Sequence, residues 1–295
     1  MRFLLFFISS LLFANSITDY KAIYECVKFN NKDYIALRSL NFNLKKALLI
    51  VDANSLKSGL ILEQDAKKIH CNSDILNSRY LKLLLKIKNK NHPLQNDGIT
   101  ASKNGIIITT DLCPSSKKGF EKRLYSALIN NFPNPMPVTV FITKKWIQKH
   151  QKEFEQLKKW NREKKLDITW GNHTANHIYH PKMPLNHNFV LSKEEHLSID
   201  ILNLEKELLK NGVVPSVFFR FPGLISDSKS INLVTNLGLI TIGSNSWLAK
   251  GQRVKSNSII LLHGNKNEPK GVDIFLKEIK EANISQIIDI KSIGF

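Results

Sequence analysis

The chain has 295 residues, of which 42% are hydrophobic and 23% charged, and its formal net charge is +18. A chain of this length can bury a full core and form one large α/β domain with a smaller appendage. The positive charge favours anionic partners such as envelope polysaccharides or lipid headgroups. Because lysine far exceeds arginine, and asparagine and isoleucine are abundant, the charge also fits a compositional bias, and we assign no function from it.

The amino terminus predicts export. Met1 and Arg2 form a short basic end, residues 3–13 are apolar, and small residues follow at positions 14–16. The apolar run is short for a bilayer span, so we predict a cleaved signal peptide over residues 1–16 and rank an uncleaved membrane anchor second. We therefore expect the mature protein in the periplasm or cell envelope, without a stable membrane span and without a nucleic acid partner.

Residues 17–100 are predicted to form a small N-terminal α+β region, for which plain scaffolding is the first expectation. Its cysteines, Cys26 and Cys71, could pair in an exporting compartment, which leaves Cys113 as the odd one. The predicted elements are strands at residues 34–37 and 47–51, a basic helix at 75–90 and a turn-rich linker at 91–98.

Residues 101–295 are predicted to form the main domain, in which strands and helices alternate. Apolar and β-branched runs predict strands at residues 106–110, 138–142, 166–170, 217–219, 239–242, 258–262 and 286–290. Helices are predicted at residues 120–130, at 145–164, and from a capping box of Ser192 and Glu195 to Gly212. This alternation predicts a parallel sheet, either doubly wound or closed as a barrel, with its chemistry at the carboxyl ends of the strands.

Polar side chains follow these strands at the predicted carboxyl ends. Asp111 ends the first strand of the main domain, His173 and His177 follow the third, Arg220 ends the fourth, and His263 ends a later one. Any one of them could be a helix cap or a satisfied core group, but five at the same edge predict a shared site. On a helix, the two histidines four residues apart would share a face and could bind one metal ion.

The chain resembles the polysaccharide deacetylases of carbohydrate esterase family four from about residue 105 to its end. The segment Thr109–Leu112 stands where this family has Thr-Phe-Asp-Asp, and His173 with His177 matches its His-Ser/Thr-x-x-His motif. Arg220–Gly223 matches an Arg-x-Pro segment, and Leu261–His263 matches Leu-x-His. The resemblance implies a distorted (β/α) barrel and, from the local sequences, a divergent bacterial branch.

The resemblance also implies roles for these residues. A divalent metal, usually zinc, would be held by His173 and His177 and would polarise the carbonyl of an acetyl group. Asp111 would be the general base, His263 the general acid, and Arg220 would hold the base in place. The substrate would be an N-acetylated or O-acetylated polysaccharide such as peptidoglycan, and acetate would be a product.

Two positions depart from the family pattern. Leu112 replaces an aspartate that binds the metal, and a leucine cannot coordinate. A strand reaching residue 113 would place Cys113 on the same face as Asp111, which makes a thiolate ligand geometrically possible. The candidates for a third ligand are Asp111, Cys113, Asn172, His180 and His187.

The segment Gly243–Trp247 lacks the carboxylate that the family places just before a tryptophan to tune the catalytic histidine. Asn245 could orient that ring by hydrogen bonding instead. Trp247 and Pro222 are the predicted substrate-binding residues, although Trp247 fits a core position equally well.

Two alternatives stay open. A catalytically weak or inactive relative would bind envelope glycan in the same cleft, as Leu112 and Asn245 favour. A hydrolase acting on another C–N bond would have a closed pocket, whereas an open groove lined by aromatic residues would favour a polymer. A glycosidase would need two carboxylates across the cleft, and a zinc protease of the His-Glu-x-x-His type would need a motif that is absent.

Overall fold

The structure is a computed structural model that describes residues 15–194, 196–284 and 286–294. Nearly all of the predicted signal peptide, and Glu195 of the predicted capping box, lie outside these residues. Among the helices that are described, none combines the length and the apolar character needed to cross a membrane.

The N-terminal region folds as an antiparallel sheet of five strands in the order β4-β3-β2-β1-β5. The strands are β1 (Ile17–Phe29), β2 (Lys32–Phe42), β3 (Lys45–Val51), β4 (Ser58–Leu62) and β5 (Lys67–Ile69). The two predicted strands are confirmed as parts of β2 and β3. A disulfide joins Cys26 of β1 to Cys71, the pairing that the sequence allowed.

The helix predicted at residues 75–90 is two helices, α1 (Ser73–Leu76) and α2 (Arg79–Lys88). The break arises because Ser78 acts as the N-cap of α2, and its side chain accepts a hydrogen bond from the backbone of Leu81. The apolar face of α2 is buried in the same hydrophobic cluster as Phe218 and Ile240 of the main domain. The N-terminal region therefore shares a continuous core with the rest of the protein.

The segment predicted as a linker is docked rather than free. Asn96 donates from Nδ2 to the carbonyl of Ser244 (2.6 Å) and accepts from the backbone N–H of Ser244 (2.8 Å). Asp97 is buried, forms an ion pair with Lys90 (2.7 Å) and is hydrogen-bonded to Nδ1 of His92 (2.7 Å). These bonds anchor the segment beside the edge of the main sheet.

The main domain contains a curled sheet of seven parallel strands in the order β10-β9-β8-β7-β6-β12-β11. The strands are β6 (Ile107–Leu112), β7 (Met136–Ile142), β8 (Leu166–Asn172), β9 (Phe218–Phe219), β10 (Ile240–Thr241), β11 (Ser246–Trp247) and β12 (Ile259–His263). The predicted α/β fold, a distorted (β/α) barrel with an N-terminal α+β extension, is confirmed. The strand predicted at residues 286–290 is wrong, because this segment forms a single bridge from Ile287 to Ile106 and then a turn of 3₁₀-helix.

The remaining helices are α3 (Lys122–Asn131), α4 (Lys144–Lys149), α5 (Gln151–Arg162), α6 (Leu197–Lys210), α7 (Ser228–Asn236) and α8 (Pro269–Lys280). The single helix predicted at residues 145–164 is divided at His150, which has φ −125° and ψ 46°. His150 is buried, and its ring stacks on Trp146 at a centroid distance of 5.0 Å. Helix α6 ends as predicted, with Gly212 at φ 71° after its last turn.

Candidate active site

The parallel register brings the predicted polar residues to one edge of the sheet. Asp111 of β6 lies directly beside His263 of β12, and His173 and Arg220 come directly after β8 and β9. Four of the five predicted residues line one cleft of about 970 Å³: Asp111, His173, His177 and His263. Arg220 lies beneath it and is fully buried.

Arg220 holds one oxygen of Asp111. Its Nη1 donates to Oδ1 of Asp111 (2.7 Å) and to the hydroxyl of Thr109 (2.7 Å). Its other donors bond the carbonyls of Ile242 (3.3 Å) and Gly243 (3.0 Å), so the guanidinium is fixed by the sheet. Among the residues that the structure describes, Oδ2 of Asp111 has no such partner, and it lies 3.8 Å from Nε2 of His173. The carboxylate is thus anchored at one oxygen and open at the other.

His173 and His177 come together, although the segment is not a helix. Thr174 has φ 68° and His177 has φ 49°, so the chain turns through two left-handed residues instead of one helical turn. The ring centroids are 4.9 Å apart. The helical spacing argument was therefore wrong in its geometry, while the predicted proximity of the two rings is observed.

The tautomer of His173 follows from its backbone partner. Nδ1 lies 2.7 Å from the carbonyl oxygen of Arg220, which can only accept, so Nδ1 carries the proton. In the neutral ring, the lone pair of Nε2 then faces the cleft. A metal-binding histidine typically donates its other ring N–H to such a partner, because this hydrogen bond fixes the orientation and the tautomer of the ring.

Cys113 completes a cluster with the two histidines. Its Sγ lies 3.5 Å from Nε2 of His173, and one ligand atom from each of Cys113, His173 and His177 falls within 4.8 Å of the others. Burial would raise the pKa of the Cys113 thiol, but His177 and His173 outweigh it and hold that pKa well below its usual range. The thiolate is the form that binds a metal. Two imidazoles and one thiolate are nitrogen and sulfur donors of the kind that bind zinc, and three protein ligands are the number typical of a catalytic zinc site.

The other candidate ligands lie outside this cluster. Asn172 is buried, donating to the carbonyl of Ile201 (3.0 Å) and accepting from the N–H of Thr174 (3.0 Å). His180 pairs with Glu194 at 3.6 Å. His187 is exposed and does not line the cleft. Leu112 is fully buried in the apolar core, which explains why it contributes nothing to the site.

Glu268 is the site residue that sequence reasoning missed. Its Oε2 lies 2.8 Å from Nδ1 of His263, in a geometry too bent for a well-formed hydrogen bond, and accepts a hydrogen bond from Nε1 of Trp247 (2.8 Å). Burial lowers the pKa of His263, but Cys113 and Glu268 outweigh this and raise it well above its usual range. The available signal was an acidic residue five positions after His263, directly before a proline that begins a helix.

Of the remaining predicted site residues, Asn245 and Pro222 lie outside the cleft lining and Trp247 lies in it. Asn245 donates to the carbonyl of Asn257 (3.4 Å) and accepts from the N–H of Ile259 (2.8 Å), bonds that hold the backbone and not the ring of His263. Pro222 is buried outside the cleft lining, whereas Trp247 lines the cleft.

Aromatic side chains make the cleft suitable for a sugar. Trp247, Tyr179 and Phe189 line it, and the last two rings stack at a centroid distance of 5.1 Å. Tyr179 is 55% exposed, so the cleft opens to solvent on that side. Rings of this kind provide apolar faces with a polar tip, and an open groove favours a polymer over an enclosed small molecule.

Comparison with known proteins agrees with this fold. The solved structure of a family 4 carbohydrate esterase from Bacillus anthracis is 16% identical, with 72% of this chain and 90% of that chain covered and a TM-score of 0.50. PdaA of Bacillus subtilis, a family 4 carbohydrate esterase, is 14% identical over 72% of this chain and 88% of that chain, with a TM-score of 0.51. A weaker likeness, with a TM-score of 0.42, 13% identity and coverage of 77% and 83%, is to a CE4 family pseudoenzyme from Bacillus anthracis.

At these identities the solved structures show the fold alone. The family model described as polysaccharide deacetylase matches residues 98–242, a segment that holds Asp111, the two paired histidines and Arg220. This match, together with the shared fold, supports a member of the polysaccharide deacetylase family.

Proposed function

We propose that the protein is an exported, metal-dependent hydrolase that removes acetyl groups from an N-acetylated, or O-acetylated, polysaccharide of the cell envelope. The observation that carries the proposal is the convergence of Asp111, the Cys113–His173–His177 cluster and His263 on one open cleft. This set contains a candidate base, a three-residue metal site and a candidate acid within reach of one substrate group.

The metal, for which zinc is the first choice, would be held by the sulfur of Cys113 and by ring nitrogens of His173 and His177. When bound, it would supply Lewis-acid polarisation of the acetyl carbonyl. The thiolate takes the place of the carboxylate that Leu112 cannot provide. A soft sulfur ligand with two imidazoles suits zinc better than magnesium or calcium, which prefer oxygen.

Asp111 is the proposed general base. Arg220 binds its Oδ1, which orients the carboxylate and leaves Oδ2 to take a proton from the attacking water. The water oxygen bonds to the carbonyl carbon, and the bond from carbon to the sugar nitrogen then breaks. His263 gives a proton to that nitrogen, so acetate and a free amino sugar leave the site.

The test is acetate release from N-acetylglucosamine oligomers and isolated peptidoglycan, with added zinc and with chelator, together with the metal content of the purified protein. We expect chelator-sensitive release and about one metal ion per chain. His177→Gln should lose both. His180→Gln is the matched control, because His180 lines the same cleft but lies outside the cluster, and it should keep its metal.

A catalytically weak or inactive member that binds envelope glycan is the second candidate, favoured by Leu112 in the position of a ligand. Absence of acetate release from every substrate, together with absence of retained metal, would reject the hydrolase and favour this binder. Cys113→Ser separates the two further, because loss of the thiolate should remove the metal from a hydrolase and leave glycan binding by a binder unchanged.

A further inference from the structure

The carboxylate of Glu268 lies between two side chains of the cleft. One oxygen, Oε2, is 2.8 Å from Nδ1 of His263 and 2.8 Å from Nε1 of Trp247. The indole N–H can only donate, so it orients the carboxylate with a lone pair of Oε2 facing Nε1 of Trp247. Oε2 thus accepts a hydrogen bond from the indole and lies in close but bent contact with Nδ1 of His263, and the centroids of the two rings are 6.1 Å apart.

The loop that carries Glu268 is fixed from both sides. Asn265 is fully buried and donates to the carbonyl of Cys113 (2.8 Å), and its side-chain oxygen accepts from the N–H of Asn267 (3.1 Å). Pro269 follows as the first residue of α8. The Glu268 side chain is only 26% exposed, so it is directed inward and not into solvent.

Within the part of the chain that the structure describes, the side-chain contacts of Glu268 are confined to the cleft. It stands at the N-cap position of α8, yet its side chain makes no capping hydrogen bond. Its carboxylate contacts are to His263 and Trp247, both of which line the cleft. Replacing it should therefore leave the helix and the core unchanged.

We propose that Glu268 is a positioning residue for His263, with Trp247 holding the carboxylate in place. This inference rests on the proposed function. A carboxylate beside Nδ1 favours the ring tautomer that carries a proton there, and it turns the opposite nitrogen, Nε2, toward the cleft. The ring enters this step as the imidazolium, with a proton on each nitrogen. As the C–N bond breaks, the nitrogen of the leaving sugar takes the proton from Nε2, and His263 is left as the neutral tautomer protonated at Nδ1, which Glu268 stabilises.

The kinetic test compares two leaving groups. An amide nitrogen must be protonated to leave, whereas the 4-nitrophenolate of 4-nitrophenyl acetate leaves without a proton. We expect Glu268→Gln to lower kcat for N-acetylglucosamine oligomers by about 10- to 100-fold with little change in KM, and to spare the aryl ester. Glu268→Asp should recover part of the loss, and the metal content of both variants should equal that of the wild type.

A spectroscopic test does not depend on turnover. The ¹⁵N chemical shifts of the His263 ring, assigned with His263→Gln, report which nitrogen carries the proton. Measured at a pH at which the ring is neutral, the wild type should show the remaining proton on Nδ1, and Glu268→Ala should shift the ring toward a mixture of the two tautomers. Trp247→Phe removes the indole donor, keeps an aromatic ring at this position, and should give a smaller shift in the same direction.

The outcomes separate this inference from the proposed function. An equal loss on amide and ester, or unchanged kinetics on both, would overturn the role of Glu268 while leaving the hydrolase intact. An unchanged His263 tautomer in Glu268→Ala would overturn it as well. If the wild type releases no acetate from any glycan but the tautomer still shifts, the proposed function fails and the positioning by Glu268 stands.

Discussion

Two fully buried arginine–carboxylate pairs, Arg38–Glu205 and Arg220–Asp111, differ in how much of the carboxylate the protein occupies. Arg38 binds both oxygens of Glu205, at 2.9 Å and 2.8 Å, and the hydroxyl of Tyr20 adds a third bond at 2.8 Å. Arg220 binds only Oδ1 of Asp111 (2.7 Å). The first carboxylate is saturated, and the second keeps one oxygen for a reaction.

The difference matches the position of each pair. Arg38 and Tyr20 belong to the N-terminal sheet and Glu205 to α6, so the saturated pair joins the two regions of the chain. Burial and the negative Glu205 raise the pKa of Tyr20 well above its usual range, which keeps the hydroxyl as a donor. Arg220 and Asp111 both come from the main sheet and lie at the base of the cleft. A buried ion pair can therefore be structural or functional, and the free oxygen distinguishes the two.

The largest expected effect comes from neutralising each carboxylate. Asp111→Asn and Glu205→Gln both leave a buried guanidinium without its anion, so each should lower the free energy of unfolding by about 3–5 kcal/mol. Asp111→Asn should in addition slow acetate release about 10²- to 10⁴-fold, because the base is lost. Urea unfolding measures the first effect, and acetate release per folded molecule measures the second.

Glu205→Gln serves as the control for stability in this comparison. It should keep the kcat of the wild type under conditions in which it is folded. Equal losses of activity in the two variants would contradict the distinction between a saturated and a free carboxylate, since stability alone would then explain both.

A smaller effect is expected from Gly171→Ala, which acts on the site without touching its polar atoms. Gly171 of β8 lies beside Phe141 of β7, and a Cβ at position 171 would stand 2.5 Å from the Phe141 ring. The same ring carries the guanidinium of Arg220, 4.3 Å from the ring centroid. The ring must therefore shift, which disturbs its contact with Arg220, at a cost of about 1–3 kcal/mol in stability.

Acetate release should fall together with stability in Gly171→Ala, because a displaced guanidinium no longer holds Oδ1 of Asp111. A lower thermal midpoint with unchanged kcat would show that Arg220 keeps its place by its four hydrogen bonds alone. Gly212→Ala is not a suitable control, because Gly212 has φ 71° and any side chain there is strained. Gly59→Ala has an ordinary φ and only van der Waals neighbours, and it should leave both quantities unchanged.

The sequence predicts the site where local rules apply. Asp111 and His263 are found at strand ends because buried strands have a clear apolar pattern, and parallel strands end at one edge of a sheet. His173 and His177 are found by spacing, yet their proximity depends on two left-handed residues that spacing does not reveal. Cys113 was weighed only as one ligand among five, since its proximity to the histidines requires β6 and β8 to be placed in three dimensions.

The parts that the sequence does not predict depend on long-range contacts. Glu268 reaches His263 because Asn265 is bound to the backbone of Cys113, 152 positions away in the chain. Strand β1 was missed because charged residues interrupt its apolar pattern, and two register shifts in its pairing with β2 break the alternation. Arg38 and Glu205 gave no signal, since a buried ion pair is invisible until both elements are placed.

The smallest expected effect concerns a third pair, Lys32–Asp52, in which Asp52 is buried and Lys32 is exposed. Asp52 accepts hydrogen bonds from the N–H groups of Asn54 (2.9 Å) and Ser55 (2.9 Å), and Lys32, whose side chain is 57% exposed, contacts its other oxygen. Burial raises the pKa of Asp52, but Lys32 and the two N–H groups outweigh it and lower that pKa below its ordinary 3.8. The folded state therefore binds the proton more weakly than the unfolded state does.

It follows that Asp52 contributes stability above its ordinary pKa, and that this contribution is lost as the pH falls through the lower folded value. Between about pH 5 and pH 2, the free energy of unfolding of the wild type should drop more than that of Asp52→Asn, by under about 1 kcal/mol because one partner is exposed. Urea unfolding at several pH values and at two salt concentrations measures this difference, and added salt should reduce it. A loss in the free energy of unfolding as large as that of Glu205→Gln would mean that exposure of Lys32 does not make this pair weaker than a fully buried one.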